Sequence, residues 1–240
     1  MSLHGQVGLV TGATGGIGKA IALSLATRKM TLGLVGRDAI RLQALATQIR
    51  RTPLRAEVFR SDLTDDDDIR RLQSDLKQRL GSCDLLVHAA GIFRMGPIAQ
   101  APVDDLDQLY RTNLRASYVL TQALLPMLSD SRGQIVFINS SAGLMPRAEV
   151  AAYAASKHAL KALADCLRAE VNCLGIRVLS VYPGRTATPL QESIHALEGA
   201  KYSPERLLQP EDVAGAVISA LEMPRSAEVT DISIRPMLKT

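Results

Sequence analysis

The sequence is poor in aromatic residues and in cysteine: among its 240 residues there are no tryptophans, three phenylalanines, five tyrosines and three cysteines. Cys83, Cys166 and Cys173 lack the close spacing of metal ligands, so we expect reduced thiols in packing roles and no metal site. The net charge of +4 comes from scattered Lys and Arg, and aromatics make up only 3% of the chain. This composition argues against a nucleic-acid-binding protein.

The chain also lacks a run of the roughly 18 to 20 uncharged apolar residues that a membrane span requires. Its first residues, MSLHGQVGLVTG, have neither the basic segment nor the cleavage site of a signal peptide. With 47% hydrophobic residues, the chain can bury a sizeable core. We therefore expect a single cytoplasmic domain over residues 1–240 with no membrane partner.

Short apolar runs alternate with segments of helical length, which is typical of βαβ units and a parallel sheet. The seven candidate strands are VGLVTG, TLGLVG, LRAEVF, DLLVHAAG, QIVFINSS, IRVLSVYPG and EVTDISIR. Right-handed crossovers would place helices on both faces of this sheet. The pattern predicts an α/β fold with one doubly wound, parallel, seven-stranded sheet and a ligand beyond the carboxyl ends of its strands.

Two further segments carry specific expectations. TDDDDIR indicates a helix start with Thr64 as N-cap, because acids in a first turn favour the helix dipole while consecutive carboxylates point in different directions. One long helical segment is predicted over 104–129. The segment 183–208, with prolines at 183, 189 and 204, is predicted to be irregular, and we expect a substrate lid over about 185–208.

A glycine-rich turn follows the first strand, and it suggests a phosphate-binding loop. Glycines there permit a tight turn, let a pyrophosphate approach the backbone and aim a helix N-terminus at its charge. The alternative is a merely tight turn without a ligand. The residues expected to contact a dinucleotide in this turn are Thr11, Gly12, Thr14, Gly16, Ile17 and Gly18.

The end of the second strand bears on the choice of dinucleotide. An NAD site usually has an acidic side chain here, for the ribose 2′-hydroxyl. Asp38 has about the right spacing, but its place before AIRLQALATQI fits a helix N-cap better. Arg37 would then face the ribose, beside the small Gly36, and a guanidinium suits a 2′-phosphate. NADP(H) is therefore favoured over NAD(H).

The stretch AAYAASKHAL places Tyr153 and Lys157 four residues apart, hence on one helix face. A neighbouring ammonium favours the phenolate and would lower the pKa of the tyrosine, which would then exchange protons near neutral pH. The alternative is a surface tyrosine beside a solvated lysine, and the pair alone does not exclude it.

Together, the TGxxxGxG turn, the YxxxK helix and the alternating pattern resemble the short-chain dehydrogenase/reductase family over nearly the whole chain. The resemblance implies a Rossmann fold and an oxidoreductase that interconverts a ketone or aldehyde and its alcohol. It also implies further site residues. These are Asp62 and Leu63 at the adenine, Ala89, Ala90 and Gly91 after the fourth strand, Asn113 and Ser140 as catalytic residues, and Pro183, Gly184, Thr186 and Thr188 on the nicotinamide side.

The resemblance assigns roles to the catalytic residues. Tyr153 would donate the proton, Ser140 would hydrogen-bond the substrate oxygen, and Lys157 would bond the nicotinamide ribose. Asn113 would hold a water that links Lys157 to solvent, or else be a surface residue. Ser141 is a rival for Ser140, but only Ser140 stands thirteen residues before Tyr153.

One departure from the family pattern is His88, which replaces the first asparagine of the usual Asn-Asn-Ala-Gly. We interpret it as a satisfied structural group. The predicted substrate pocket is partly apolar and is walled by 92–95, 142–150 and 190–202, with Arg94, Arg147 and His195 interpreted as solvated surface. The expected partners are a small carbonyl or alcohol substrate and, through the long helices around Asn113 and Tyr153, a second copy in a homodimer or homotetramer.

Three alternatives remain: a catalytically silent NAD(P)-sensing regulator of the same fold, an NAD-dependent alcohol dehydrogenase, and an epimerase or dehydratase of the extended relatives. The four residues Ser140, Tyr153, Lys157 and Asn113 argue against the first. The short chain after residue 190 argues against the last.

Overall fold

The computed structural model describes residues 2–51 and 55–238. Its centre is one sheet of seven parallel strands in the order β3-β2-β1-β4-β5-β6-β7, which confirms the predicted fold. The strands are β1 (Val7–Thr11), β2 (Thr31–Gly36), β3 (Ala56–Arg60), β4 (Leu85–His88), β5 (Gln134–Ile138), β6 (Arg177–Pro183) and β7 (Asp231–Ile234). Leu54, the predicted start of the third strand, lies outside the described residues.

Eight α-helices connect these strands over the described ranges. They are α1 (Gly16–Thr27), α2 (Ala39–Ile49), α3 (Asp66–Arg79), α4 (Val103–Tyr110), α5 (Ala116–Ser131), α6 (Ala151–Val171), α7 (Pro189–Leu197) and α8 (Pro210–Leu221). None of the helices in these ranges is both long and apolar enough to cross a bilayer. The same residues contain no group of three or more His, Cys, Asp or Glu arranged to hold a metal ion.

Two apolar cores lie on opposite faces of the sheet. On one face, Ile21 and Leu25 of α1 pack with Leu42 of α2 and Val213 of α8. On the other, α3, α5 and α6 contribute leucines such as Leu72, Leu124 and Leu160. The chain changes face after β3, so β1 and β4 are neighbours whose following segments diverge. This divergence opens a crevice at the carboxyl ends of the strands, where ligands bind in such sheets.

The start of α3 differs by one residue from the prediction. Asp65, not Thr64, is the N-cap, and its carboxylate accepts hydrogen bonds from the backbone N–H groups of Asp67 and Asp68. Asp66, Asp67 and Asp68 fill the first turn, as the helix dipole favours. Thr64 instead donates its hydroxyl to Asp62 Oδ1 at 2.8 Å. Both Thr and Asp are good caps, so composition alone did not separate them.

The predicted helix over 104–129 is wrong in its continuity. Residues 111–115 form a single π-helical turn between α4 and α5, and Asn113 lies in it. Such turns insert an extra residue and often occur at functional sites. Here the turn accompanies a buried asparagine, which is 1% exposed.

The segment 183–208, predicted to be irregular, contains a helix of nine residues, α7. Thr188 caps it by accepting a hydrogen bond from the Gln191 N–H, and Pro189 stands at its first position. Proline is favoured there because that N–H has no helical partner in any case. Two of the three prolines that suggested an irregular segment therefore mark helix starts, at 189 and 204, and Pro183 ends β6.

The packing role predicted for the cysteines holds for one of the three. Cys83 is buried, whereas Cys166 and Cys173 are exposed on and just after α6. All three thiols are free.

Candidate active site

A cleft of about 550 Å³ lies beyond the carboxyl ends of β1, β4, β5 and β6. Of the site residues predicted from the sequence, many line it: Gly16, Ile17, Gly18, Ala89, Ala90, Gly91, Ser140, Tyr153, Lys157, Pro183, Gly184, Thr186 and Thr188. The others, Thr11, Gly12, Thr14, Arg37, Asp62, Leu63 and Asn113, do not form its walls. Their contacts place several of them directly behind those walls.

Thr11 and Gly12 shape the turn from within. The buried Thr11 hydroxyl donates to Val87 O at 3.2 Å and accepts from the N–H groups of Ala89 and Ala90 at 3.1 and 3.2 Å. Gly12 has φ +60°, and a Cβ there would stand 2.7 Å from Ala89 O. A side chain is therefore excluded by both conformation and space. The glycine-rich turn and the segment after β4 form one unit.

The first turn of α1 offers free backbone donors to the cleft. Its N-cap, Gly15, has no side chain to bond them, and the turn contains no acidic residue. Gly15, Gly16, Ile17 and Gly18 line the cleft at this point. Uncapped N–H groups together with the helix dipole suit an anion such as a pyrophosphate. This part of the cleft fits a dinucleotide.

A contact also joins this turn to the segment before α7. A Cβ on Gly16 would overlap the side chain of Thr188, so that hydrogen alone fits at this position. The start of α7 therefore rests against the start of α1. The glycine at 16 is explained by this contact in addition to any ligand.

Arg41 is a cleft residue that the sequence analysis did not predict. It stands in the first turn of α2, lines the cleft and donates from Nη2 to Thr14 O at 2.9 Å. Its backbone N–H bonds the carboxylate of Asp38, which confirms Asp38 as the N-cap. Arg37 is exposed just before this cap. A cation one turn into the helix after the second strand was the available sequence signal.

Asp62 and Leu63 follow β3 and lie farther along the same edge of the sheet. The Asp62 carboxylate accepts hydrogen bonds from the backbone and hydroxyl of Thr64, at 2.9 and 2.8 Å. Its own N–H donates to Asp68 Oδ2 at 2.7 Å, and Leu63 is buried. The structure fixes this turn firmly, and the adenine contact expected from the resemblance stays a prediction.

Ser140, Tyr153 and Lys157 meet on one wall of the cleft. Ser140 and Tyr153 both line this wall, and Lys157 Nζ lies 6.0 Å from the centre of the Tyr153 ring. Lys157 also donates to Ile138 O at 3.2 Å. Ser141, the rival serine, is exposed and starts the short helical turn after Ser140. The three residues that the sequence singled out are thus brought together.

Asn139 ties this wall together, and the sequence reading overlooked it. Its Nδ2 donates to Lys157 O at 3.1 Å, while its Oδ1 accepts from Ser140 N at 2.9 Å. The end of β5 is thereby joined to the middle of α6. The available signal in the sequence was an asparagine directly before the serine, at the end of an apolar strand.

Burial dominates the ionisation of the pair when only protein groups act on it. Burial raises the pKa of the Tyr153 phenol, and the neighbouring Ser140 side chain opposes this rise without outweighing it. Burial lowers the pKa of Lys157 to about 8. The expected depression of the tyrosine pKa by Lys157 is therefore not produced by these protein groups alone.

Asn113 is buried, and its side chain joins the segment after β4 to α6. Its Nδ2 donates to Ile92 O and Ser156 Oγ, both at 3.1 Å, and its Oδ1 accepts from Ile92 N at 2.9 Å. A Cβ on Gly91 would stand 3.3 Å from Asn113 Oδ1 and 3.8 Å from Lys157 Nζ. The side chain positions the segment after β4 against α6, beside the lysine.

His88 is a structural group, as expected. It is buried, stacks on Phe137 with ring centres 4.8 Å apart, and bonds Thr121 Oγ1 through Nε2 at 2.8 Å. Burial lowers its pKa to about 3, so the ring is neutral near pH 7. Since it faces the core that contains α5, it does not replace the hydrogen bonds of an asparagine at the cleft.

The far end of the cleft has apolar walls and two arginines. Phe93, Val150 and Ile194 line it, and the Phe93 ring meets the Tyr153 ring edge-on at 4.8 Å. Arg147 and Arg185 line it as well, and both pair with Glu198 just after α7. The sequence reading did not single out Arg185.

Of the three residues expected at the solvated surface, Arg94 and Arg147 are exposed there and each forms an ion pair, whereas the expectation is wrong for His195. Arg147 is paired with Glu198, and Arg94 pairs with Asp105 at 3.2 Å. His195 is 6% exposed, and its Nδ1 lies 2.8 Å from Gln191 O. The partners of Arg147 and His195 are brought into place by the fold of α7.

Comparison with known proteins agrees with this geometry. The family model of the short chain dehydrogenases matches residues 6–199. An uncharacterised oxidoreductase of Staphylococcus saprophyticus is 31% identical over 239 residues, covering 99% of this chain and 100% of that protein. A metagenomic short-chain oxidoreductase solved with NADP has a TM-score of 0.85 at 31% identity, covering 99% of this chain and 100% of its own.

A short chain dehydrogenase from Shigella flexneri, solved with NADP, has a TM-score of 0.89 at 29% identity and covers 97% of this chain and 98% of its own. The likeness therefore extends over nearly the whole length, through both the glycine-rich turn and the wall that carries Ser140, Tyr153 and Lys157. With its parallel sheet, its cleft and the family match over residues 6–199, the chain belongs to the short-chain dehydrogenase/reductase family of oxidoreductases.

Proposed function

We propose that the protein is an NADP(H)-dependent oxidoreductase that interconverts a ketone or aldehyde and its alcohol, with Tyr153 as the acid and base. The observation that carries this proposal is the meeting of Ser140, Tyr153 and Lys157 on one wall of the cleft. That cleft runs on to the uncapped first turn of α1. A proton donor and a dinucleotide site thus share one cavity.

The protein groups divide the work of carbonyl reduction. Tyr153 holds the proton that the carbonyl oxygen receives, and the Ser140 hydroxyl bonds the same oxygen. Lys157 would hold the nicotinamide ribose and, when protonated, would stabilise the phenolate left on Tyr153. Phe93, Val150 and Ile194 exclude water. When bound, the reduced nicotinamide supplies the hydride.

Asn113 acts in this scheme as a positioning residue. All polar atoms of its side chain are engaged with Ile92 and Ser156, so a water that links Lys157 to solvent would bond its backbone carbonyl. The π-helical turn is the feature that supports such a role, since its backbone bonding departs from the regular helix.

The remaining cofactor contacts follow the cleft. The N–H groups of the α1 first turn would hold the pyrophosphate, with Thr11, Gly12 and Thr14 supporting the turn. The segment after β4 and the segment after β6 would hold the nicotinamide half. Their residues are Ala89, Ala90, Gly91, Pro183, Gly184, Thr186 and Thr188.

The preference for NADP(H) rests on two arginines that flank one helix cap. Arg37 is exposed directly before Asp38, and Arg41 follows in the first turn of α2 with its guanidinium on Thr14 O. The acid at the cap is already bonded to a backbone N–H. A 2′-phosphate between two guanidiniums is favoured over a free 2′-hydroxyl. The two relatives solved with NADP support this preference.

The proposal is tested by following nicotinamide absorbance with NADPH and with NADH against a panel of ketones and aldehydes. We expect turnover with NADPH and a lower kcat/KM with NADH. Tight binding of NADPH without turnover of any carbonyl would instead favour a dinucleotide-sensing regulator. A preference for NADH would favour the NAD-dependent alcohol dehydrogenase.

The homodimer or homotetramer implied by the resemblance remains a prediction. In its support, several large apolar side chains on and near α4 and α5 are exposed: Ile98, Val103, Leu106, Tyr110 and Tyr118. Light scattering on the purified protein gives the number of subunits.

A further inference from the structure

At the α7 end of the cleft, two arginines share a single carboxylate. Arg185 bonds Glu198 Oε2 and Oε1 through Nη1 and Nη2, at 2.8 and 3.1 Å, and Arg147 bonds Oε1 through Nη2. Two guanidiniums with one carboxylate leave one uncompensated positive charge. Burial works to raise the pKa of Glu198, but the two arginines outweigh it, so the carboxyl stays ionised near pH 7.

The orientation of this trio matters more than its charge. Arg147 and Arg185 line the cleft, whereas Glu198 does not and is 12% exposed behind them. No aspartate or glutamate lines the cleft anywhere in the described ranges 2–51 and 55–238. Two arginines therefore contribute to the wall of the substrate space, and no acidic residue of these ranges lines it beside them.

Both guanidiniums keep N–H donors that have no partner within the described part of the chain. Arg147 uses only Nη2, and its side chain is 49% exposed. Arg185 has an unbonded Nε, while its Nη1 also lies 3.4 Å from Nε2 of the buried His195. Because its guanidinium already contacts Glu198 and His195, Arg185 loses little freedom on binding a ligand.

We propose that Arg147 and Arg185 bind a carboxylate of the substrate, so that the protein acts on oxo acids with an apolar body. This rests on the proposed function, since the reacting carbonyl must reach Ser140 and Tyr153. Glu198 occupies the Nη1 and Nη2 edge of Arg185, so the carboxylate of a ligand matches the Nε and Nη1 donors of Arg147, and the Nε of Arg185 adds a further donor. Phe93, Val150, Leu190 and Ile194 line the same end and enclose the hydrocarbon part.

The test compares oxo carboxylic acids with one to four carbons between carbonyl and carboxylate against their methyl esters, as kcat/KM with NADPH. We expect wild type to prefer the best acid over its ester by about tenfold or more, as charge-assisted hydrogen bonds predict. R147M and R185M should each reduce this ratio toward one. R28M is the control, because Arg28 pairs with Glu222 away from the cleft, and it should keep the wild-type ratio.

A second measurement does not need turnover. Thermal shifts with hexanoate, hexanamide and hexyl phosphate should show stabilisation of wild type by the carboxylate, none by the amide, and loss of the effect in R147M. Equal use of acid and ester by wild type, an unchanged ratio in R147M and R185M, or a larger shift with the phosphate would overturn the carboxylate assignment. Absent turnover of every carbonyl together with a carboxylate-specific shift would overturn the proposed function but not this subsite.

Discussion

The two ends of the cleft are built from different parts of the chain. At the α1 end, the walls are mainly backbone from the turns after β1 and β4, joined by the Thr11 hydroxyl. At the α7 end, they are side chains from three segments, with Arg147, Arg185 and Glu198 bonded across them. The backbone walls of the α1 end form a cradle, and such a cradle accepts few substitutions. The side chains of the α7 end can be replaced one at a time. Under the proposed function, we therefore expect cofactor binding and substrate choice to be separable by mutation.

The largest effect is expected between the two ends, at the wall that carries the proposed catalytic residues Ser140, Tyr153 and Lys157. Tyr153→Phe removes the proton donor and should lower kcat by about 10²- to 10⁴-fold, the usual contribution of a general acid. NADPH affinity, measured by fluorescence titration, should change less than threefold because the cradle is untouched. Tyr110→Phe, at an exposed tyrosine of α4, is the matched control. Turnover of Y153F near the wild-type rate would remove the acid assignment.

The next largest effect concerns the cofactor end. Arg37→Asp should lower the NADPH/NADH ratio of kcat/KM by about tenfold to a hundredfold, because a charged hydrogen bond is replaced by repulsion. R37K keeps the charge and should retain most of the preference. An unchanged ratio in R37D would shift the 2′-phosphate assignment to Arg41 alone, and R41M would then be decisive.

A smaller effect is expected from filling the cradle. In Gly18→Ala the new Cβ would overlap the backbone of Gly12, so the turn must shift, at about 1 to 3 kcal/mol. The free energy of unfolding and the thermal shift with NADPH should both fall. Gly215→Ala in α8 is the control: its Cβ meets nothing within 4 Å, and alanine should stabilise the helix by up to about 1 kcal/mol. Wild-type NADPH binding in G18A would show that the cradle is more adaptable than its contacts imply.

The smallest effect lies outside the cleft and depends on pH. The pKa of His88 is lowered to about 3, so the folded state requires the neutral ring while the unfolded chain takes up a proton below about pH 6.5. The free energy of unfolding is therefore unaffected by the ionisation of His88 above that pH and decreases as the pH falls toward 3. At pH 5 this decrease is about 2 kcal/mol. Urea unfolding gives the free energy of unfolding at pH 7.5 and at pH 5. The decrease between the two should be smaller in H88N than in wild type by that amount. Equal losses in both proteins would mean that His88 is not the responsive group.

Much of the fold was predictable because it depends on local patterns. The buried strands read as apolar runs, and the glycine-rich turn, Asp38 and the pair of Tyr153 and Lys157 each follow from short-range spacing. The predicted N-cap of α3, Thr64, and the observed N-cap, Asp65, differ by one residue because both residue types suit the position. The π-helical turn at Asn113 could not be predicted, since only contacts with Ile92 and Ser156 explain it.

The α7 end was the least predictable part of the site. Glu198 meets Arg147 and Arg185 only after α7 has formed and docked, and no pattern in the sequence joins residues 51 and 13 positions apart. Arg41 was overlooked for a similar reason, because its partner is a backbone carbonyl of another turn. A sequence reveals residues whose own type and spacing are unusual. It does not reveal residues that matter because of the groups they contact in the folded chain.

The contact between Gly16 and Thr188 limits how this protein can be engineered. Segments around α7 are natural units to exchange when a new specificity is wanted. A graft that brings a bulkier residue to position 188 would push against the first turn of α1 and disturb a loop more than 170 positions earlier. Donor segments should therefore be chosen by the size of that one side chain before their pocket residues are compared.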